Sequence, residues 1–172
     1  MKADNNKVVS VLYTLYENNV DGRFLEKTPE EDPFSFIFGT GGVLQEFENN
    51  LKGKKAGDKF EFVIQSEDAY GPVDPNMSKV EIEKSIFGLS DEEEMEAMFQ
   101  VGHVLPMLDQ DGFQWDGKII KVKKNTLIMD LNHEYAGMNL YFKGEVIGVR
   151  EATREELDYG EDGEDNIEIV SK

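Results

Sequence analysis

The stretch that decides the fold is Gly53 to Pro72, GKKAGDKFEFVIQSEDAYGP. Gly57 and Asp58 are turn formers, and Lys59 to Ile64 follows as an aromatic and β-branched run, which predicts a strand. Upstream, Val43, Leu44, Phe47 and Leu51 fall on one face of a short helix that stops before Gly53. Phe34 to Phe38 alternates after Pro33 and predicts another strand. Val8 to Tyr16 is β-branched and aromatic and runs into Asn18, Asn19, Asp21 and Gly22, which predicts a strand and a hairpin turn. One helix among several strands gives an α+β class.

Downstream of Gly71 the texture changes. Ser90-x-x-Glu93 has the form of a capping box opening an acidic helix that reaches Phe99. Val104 to Leu108 and Ile119 to Lys123 are strand-like, with Asp111-Gly112 and Asp116-Gly117 as turn signals between them. From Thr126 the long strand pattern resumes, with Leu127 to Leu131 and Leu140 to Val149 on either side of a compact loop, Asn132 to Gly137. The expected organisation is a discontinuous β-rich domain, residues 1–72 and 126–152, interrupted by a small β-rich insert, residues 73–125. An acidic tail, residues 153–172, follows and is expected to be solvated; Glu151 to Lys172 holds nine acidic residues against two basic ones.

Composition narrows the function. Thirty-six acidic side chains against 18 basic ones give 172 residues a net charge of -18, which repels phosphate backbones and anionic headgroups. Nucleic acid and membrane surfaces are therefore not expected partners. No apolar run reaches the length of a membrane span, and Met1 to Asn6 lacks the look of a signal peptide. The expectation is a monomer in the cytoplasm.

Zero cysteines excludes disulfides, thiolate metal sites and a thiol nucleophile. His103 and His133 stand 30 residues apart, without the spacing of a zinc pair. Asp158, Asp162 and Gly163 resemble a calcium loop only faintly, since Gly160 and Ile169 occupy ligand positions. The Gly39, Gly41 and Gly42 loop lacks the lysine of a phosphate loop, and no G-x-S-x-G is present. No metal or cofactor is expected. What remains is aromatic: Tyr13, Phe34, Phe36, Phe47, Tyr70 and Phe142, whose default role is core packing.

The GDKF and DAYG strings within Gly53 to Pro72, the NHEYAGMNLYFKGEVIGVREAT ending from Asn132 to Thr153 and the DGRFLEKT turn at Asp21 resemble the FKBP-type peptidyl-prolyl cis-trans isomerases. The likeness is to the SlyD-like branch, and the insert falls where that branch carries an insert-in-flap chaperone domain. The resemblance implies an FKBP-like twisted antiparallel sheet wrapped on a short helix, acting on unfolded or proline-containing polypeptides. It implies a proline pocket of Tyr13, Leu25, Glu26, Phe34, Val43, Leu44, Phe47, Tyr70 and Phe142. It departs from the family at Glu26 in place of aspartate, Glu46 where glycine is common, Gly144 in place of a core valine, and Glu134 after the Asn132-His133 pair. The tail lacks the histidine and cysteine clusters with which some members bind nickel. A catalytically silent binding module is the alternative, and a calcium-binding protein a third reading.

For the insert, the resemblance implies client binding. Methionine-rich surfaces suit binding of many shapes. Ile86, Phe87, Met98, Phe99, Val104, Met107 and Trp115 are the candidate contacts.

Overall fold

The computed structural model describes residues 1–159, and the fold is α+β. Elements run β1 (Lys7–Glu17), β2 (Phe24–Lys27), β3 (Phe34–Ile37), α1 (Gln45–Leu51), β4 (Lys59–Ile64), β5 (Val80–Glu83), α2 (Glu92–Met98), β6 (Val104–Leu108), β7 (Gln114–Val122), β8 (Thr126–Asp130), β9 (Leu140–Glu151) and α3 (Arg154–Tyr159). The chain divides into two compact units: Met1–Gly71 together with the chain from Gly137 onward, and Pro72–Ala136.

In the first unit β1 is the organising strand. It pairs antiparallel along its length with β9, and its other edge is shared by two short strands, β3 beside Val8 to Val11 and β2 beside Thr14 to Tyr16. β4 closes the far side of β9, so the order is β2-β1-β9-β4. A strand's side chains alternate between faces. Val9, Val11, Tyr13 and Leu15 of β1 are buried, as are Phe60 and Ile64 of β4 and Leu140 and Phe142 of β9. Helix α1 has seven residues and no side-chain cap, too short to stand alone; it is held by burial of Phe47 and Leu51.

Gly144 is required by packing. A Cβ there would lie 2.0 Å from the Leu12 carbonyl oxygen and 2.8 Å from both Phe60 Cζ and Tyr13 Cα. The departure from a valine at this position therefore reflects how closely β9 approaches β1.

The second unit is a four-stranded antiparallel sheet, order β5-β8-β7-β6. Its core is Phe99, Leu105, Ile119, Leu127 and Met129, with Ile82, Phe87, Leu89, Met95, Met107 and Leu131 packed against it. This corrects the expected boundary. Thr126 to Asp130 pairs with β5 and β7, and Leu127 and Met129 point into this core, so the segment belongs to the insert. The chain rejoins the first unit only at Gly137, whose N–H donates to the Gly71 oxygen at 2.6 Å. A local alternation fixes which side chains share a face, while the partner strand is chosen by the assembled sheet.

Three smaller corrections follow. Asp116-Gly117 lies inside β7 and not at a turn; Gly117 is buried, with the Met129 Cε only 2.6 Å from where its Cβ would stand. The cap of α2 is Asp91, whose carboxylate accepts the Glu93 N–H at 2.8 Å, and not Ser90. The tail begins as structure: Glu151 ends β9, and α3 opens with a reciprocal box in which Thr153 Oγ1 accepts the Glu156 N–H and Glu156 accepts the Thr153 N–H. That Thr153-x-x-Glu156 signal stands in the sequence. The calcium-like positions 160–169 and the apolar Ile167, Ile169 and Val170 lie outside the described residues.

Candidate functional site

The candidate pocket residues arrive on six elements or their flanks. Tyr13 is on β1, Leu25 and Glu26 on β2, Phe34 opens β3, Val43 and Leu44 lead into α1, Phe47 is in α1, and Phe142 is on β9. Tyr70 follows β4, just before Gly71.

Four of these residues form one aromatic cluster. Tyr13 meets Phe142, Phe34 and Phe47 edge-on at centroid distances of 5.4, 6.1 and 6.1 Å. Phe47 in turn meets Phe142 at 5.0 Å and Phe34 at 6.4 Å. Edge-to-face contacts of this kind place the positive rim of one ring on the negative face of the next, adding about 0.5 to 1.5 kcal/mol per pair beyond area burial. Such a cluster is stiff as well as dry.

Phe47 and Phe142 are 0% exposed, so they underlie the site as its floor. The half-buried members are Leu25, Glu26 and Tyr70. Tyr13 donates its hydroxyl to Glu26 Oε2 at 3.3 Å, which brings the only carboxylate among the nine candidates to the ring cluster. The Tyr13 backbone is fixed on the other side by Thr28: the Tyr13 N–H donates to Thr28 Oγ1 at 2.9 Å and the Thr28 N–H to the Tyr13 oxygen at 3.1 Å.

Leu44 is the N-cap of α1, and its carbonyl accepts the Phe47 and Glu48 N–H groups. Its own N–H makes no hydrogen bond among the described residues, as befits a helix start. The loop before it is pinned from the helix: Glu48 Oε1 accepts the Gly39 N–H at 2.8 Å. Burial pushes the Glu48 carboxyl above its ordinary value, and the Gly39 N–H offsets part of that rise.

Sequence reasoning passed over Thr28, Glu48 and Phe62. Phe62 stacks on Phe142 at 5.5 Å and meets Phe47 at 5.8 Å, completing the floor from β4. The period of two in Phe60, Phe62 and Ile64 was the available signal.

The candidate contacts of the second unit do not share one surface. Phe99 is buried in that unit's core, and Phe87 packs on it at 5.5 Å. Phe99 is therefore structural, because its ring is spent inside. Met107 and Trp115 face each other across β6 and β7, while Val104 is an odd number of residues from Met107 and lies on the opposite face. Ile86, Met98, Val104 and Trp115 are exposed. The hairpin joining β6 to β7 adds Leu108 and Phe113, 74% and 68% exposed, which the sequence did not single out. Asp109 organises that turn by accepting the Asp111 and Phe113 N–H groups and the Trp115 indole N–H at 3.0 Å.

Among the described residues no group of three His, Asp or Glu side chains is placed to hold a metal ion, and no helix is long and apolar enough to cross a membrane.

Comparison with known proteins agrees with this architecture. Residues 1–102 match the family model for FKBP-type peptidyl-prolyl cis-trans isomerases. The chain is 34% identical over 161 residues to the FKBP-type peptidyl-prolyl cis-trans isomerase SlyD of Escherichia coli K12, covering 93% of this chain and 76% of that protein. It is 32% identical to the proteins of the same name from Yersinia pestis and Haemophilus influenzae, covering 93% of this chain and 77% and 79% of theirs. Identity of this extent across both units shows that the chain belongs to the FKBP-type peptidyl-prolyl cis-trans isomerase family, in its SlyD-like branch.

Proposed function

We propose that this protein accelerates cis/trans isomerisation of X-Pro bonds at the cluster of Tyr13, Phe34, Phe47 and Phe142, and that its second unit holds the unfolded client. It acts as a monomer in the cytoplasm, on polypeptide, without nucleic acid, membrane, metal or cofactor. The observation that carries the first part is the ring cluster itself, buried at its floor and carrying the Glu26 carboxylate on the Tyr13 hydroxyl.

Rotation about an X-Pro bond must give up amide resonance, a barrier of about 18 to 20 kcal/mol. No proton transfer or nucleophile is required. The twisted imide is less charge-separated than the planar one, so an apolar, water-poor site favours it over the ground state. Tyr13, Phe34, Phe47 and Phe142 supply that surface; Val43 and Leu25 extend it. The Leu44 N–H holds a peptide carbonyl, and the Tyr70 hydroxyl gives a second donor. Glu26, anchored through Tyr13, sets the field beside the reacting carbonyl.

The second part is supported by exposed Ile86, Met98, Val104, Leu108, Phe113 and Trp115 in a unit whose core is small. Apolar side chains exposed on more than one surface, beside acidic ones, suit neutral or basic unfolded chains. Linking two sites keeps a released proline near the pocket, which raises its effective concentration. The test is relaxation of a short X-Pro peptide and of a proline-limited refolding protein, each with and without this chain. Acceleration of both is expected. Absence of any peptide acceleration by folded protein would leave a binding module without catalysis.

A further inference from the structure

One polar side chain of the first unit lies outside the aromatic cluster and yet holds its central member. Thr28 is 6% exposed, the one buried polar residue other than tyrosine among the described residues. Its place follows from a gap in the sheet. β3 pairs with Val8 to Val11 and β2 with Thr14 to Tyr16, so neither short strand lies opposite Leu12 and Tyr13 on that edge of β1. The Tyr13 N–H falls in the gap, and a buried N–H without an acceptor is costly. Pro29 favours an extended Thr28, and the Thr28 side chain supplies what the missing strand would. Its Oγ1 accepts the Tyr13 N–H at 2.9 Å and donates back to the Tyr13 oxygen at 3.4 Å, while the Thr28 N–H donates to the same oxygen at 3.1 Å. Glu26 is only two residues upstream, on β2. This clamp therefore fixes β1 against β2 where the Tyr13 hydroxyl meets Glu26 Oε2. That contact is 3.3 Å, long for an O–H···O bond, so a slip of a few tenths of an ångström decides whether it is made.

We infer that Thr28 is a positioning residue of the isomerase site, which through the Tyr13 backbone sets the Tyr13 hydroxyl against the Glu26 carboxylate. The inference rests on the isomerase reading above. Thr28 acts through Tyr13 and Glu26 and not on the peptide itself. The Glu26 field counts most when the imide is twisted, so displacing it removes an interaction of the transition state and lowers kcat while leaving KM nearly unchanged. A residue with a packing role alone would reduce the folded fraction and leave kcat per folded molecule as it was.

The test compares Thr28→Val, which keeps the shape of the side chain and removes the hydroxyl, with Thr28→Ser, which keeps the hydroxyl. Per folded molecule of the full chain, kcat for an X-Pro tetrapeptide should fall about three- to ten-fold in Thr28→Val, the size of one lost hydrogen bond, with KM within about two-fold of wild type. Thr28→Ser should restore kcat to within about two-fold. In a Glu26→Gln background Thr28→Val should add less than about two-fold, because the carboxylate it positions is gone. An equal loss in both backgrounds would make Thr28 a packing residue and overturn the inference. A second readout needs no turnover: the Tyr13 Cζ resonance in carbon-13 NMR should follow the titration of Glu26 in wild type and Thr28→Ser, and cease to follow it in Thr28→Val. Persistence of that coupling in Thr28→Val would overturn the inference whatever the activity. A wild type that shows the coupling and no turnover would sink the isomerase reading and still leave Thr28 setting the Tyr13–Glu26 pair. Should Thr28→Val not fold, Thr28→Ala, which admits a water to the Tyr13 N–H, takes its place with the same expected results.

Discussion

The two units use the same currency, apolar side chains on antiparallel strands, and spend it differently. In the first unit the long β1 and β9 pair along their whole length, and Phe47, Phe142, Leu15 and Leu140 are fully buried. In the second, five buried residues hold four strands together while Ile86, Val101, Val104, Leu108, Phe113 and Trp115 stay in contact with water. The difference follows from size: a unit as small as Pro72–Ala136 has too much surface for its volume to hide all of its apolar side chains. A rigid floor suits discrimination between two geometries of one bond. A half-covered sheet suits adhesion to chains of many sequences.

The comparison breaks most sharply at its best-packed point. Phe142→Ala removes a fully buried ring contacted by Tyr13, Phe47 and Phe62, and should cost about 3 to 5 kcal/mol in a denaturant titration. Stability within 1 kcal/mol of wild type would show that the floor is not a floor. The same cost means that activity lost in this variant says little about catalysis, so the half-buried Leu25 and Tyr70 are the better probes of the pocket.

Next comes Leu127→Ala, expected to cost about 2 to 5 kcal/mol within the second unit. Trp115 fluorescence should report that unit melting first, with turnover of a tetrapeptide persisting below the melting temperature of the first. Simultaneous loss of both signals would mean that the two units do not keep separate stabilities.

Gly144→Val tests whether the departure from the family at this position is a defect or a requirement. With the Leu12 oxygen 2.0 Å from the new Cβ, destabilisation of about 1 to 3 kcal/mol is expected, and an increase in stability would reverse the packing argument.

Leu108→Ser with Phe113→Ser alters only exposed positions of the β6–β7 hairpin, so melting should move by no more than about 0.5 kcal/mol. Affinity for an unfolded polypeptide, read from Trp115 fluorescence, should nevertheless fall severalfold while tetrapeptide turnover is unchanged. Unaltered client affinity would move the adhesive surface elsewhere.

The smallest effect concerns acid. Arg150, first, and the Thr153 N–H hold the Glu156 carboxyl at about 2, below its ordinary 4.5. A depressed carboxyl stabilises the fold above its unfolded value and loses that contribution as pH falls from about 4.5 through about 2. For a surface pair the amount is about 0.5 kcal/mol, so Glu156→Gln should flatten the acid limb of a stability–pH curve only slightly. An unchanged limb would show that the pair contributes nothing.

Local signals were the legible part. Lys59 to Ile64 was a strand on alternation and turn chemistry alone, and Val43, Leu44, Phe47 and Leu51 described one helical face, since each pattern is set by the period of its own backbone. Of the candidate pocket residues, Tyr13, Phe34, Phe47 and Phe142 carry no spacing that joins them; the family likeness singled them out, and folding brings their rings within 5.0 to 6.4 Å. Thr28 and Glu48 were illegible because their role is to accept backbone N–H groups, which no side-chain pattern records.

The sequence by itself determined the α+β class, the interruption after Gly71 and a net charge of -18, because these depend on composition and on periods a few residues long. Only the tertiary structure decided that Thr126 to Asp130 joins the insert, that Gly144 must lack a side chain, that Phe99 is core and Phe113 is surface, and that Lys2 stands beside Lys55. Each is a matter of which distant backbone lies alongside, and that is fixed by the pairing of whole strands, where the energy of a register belongs to both partners at once.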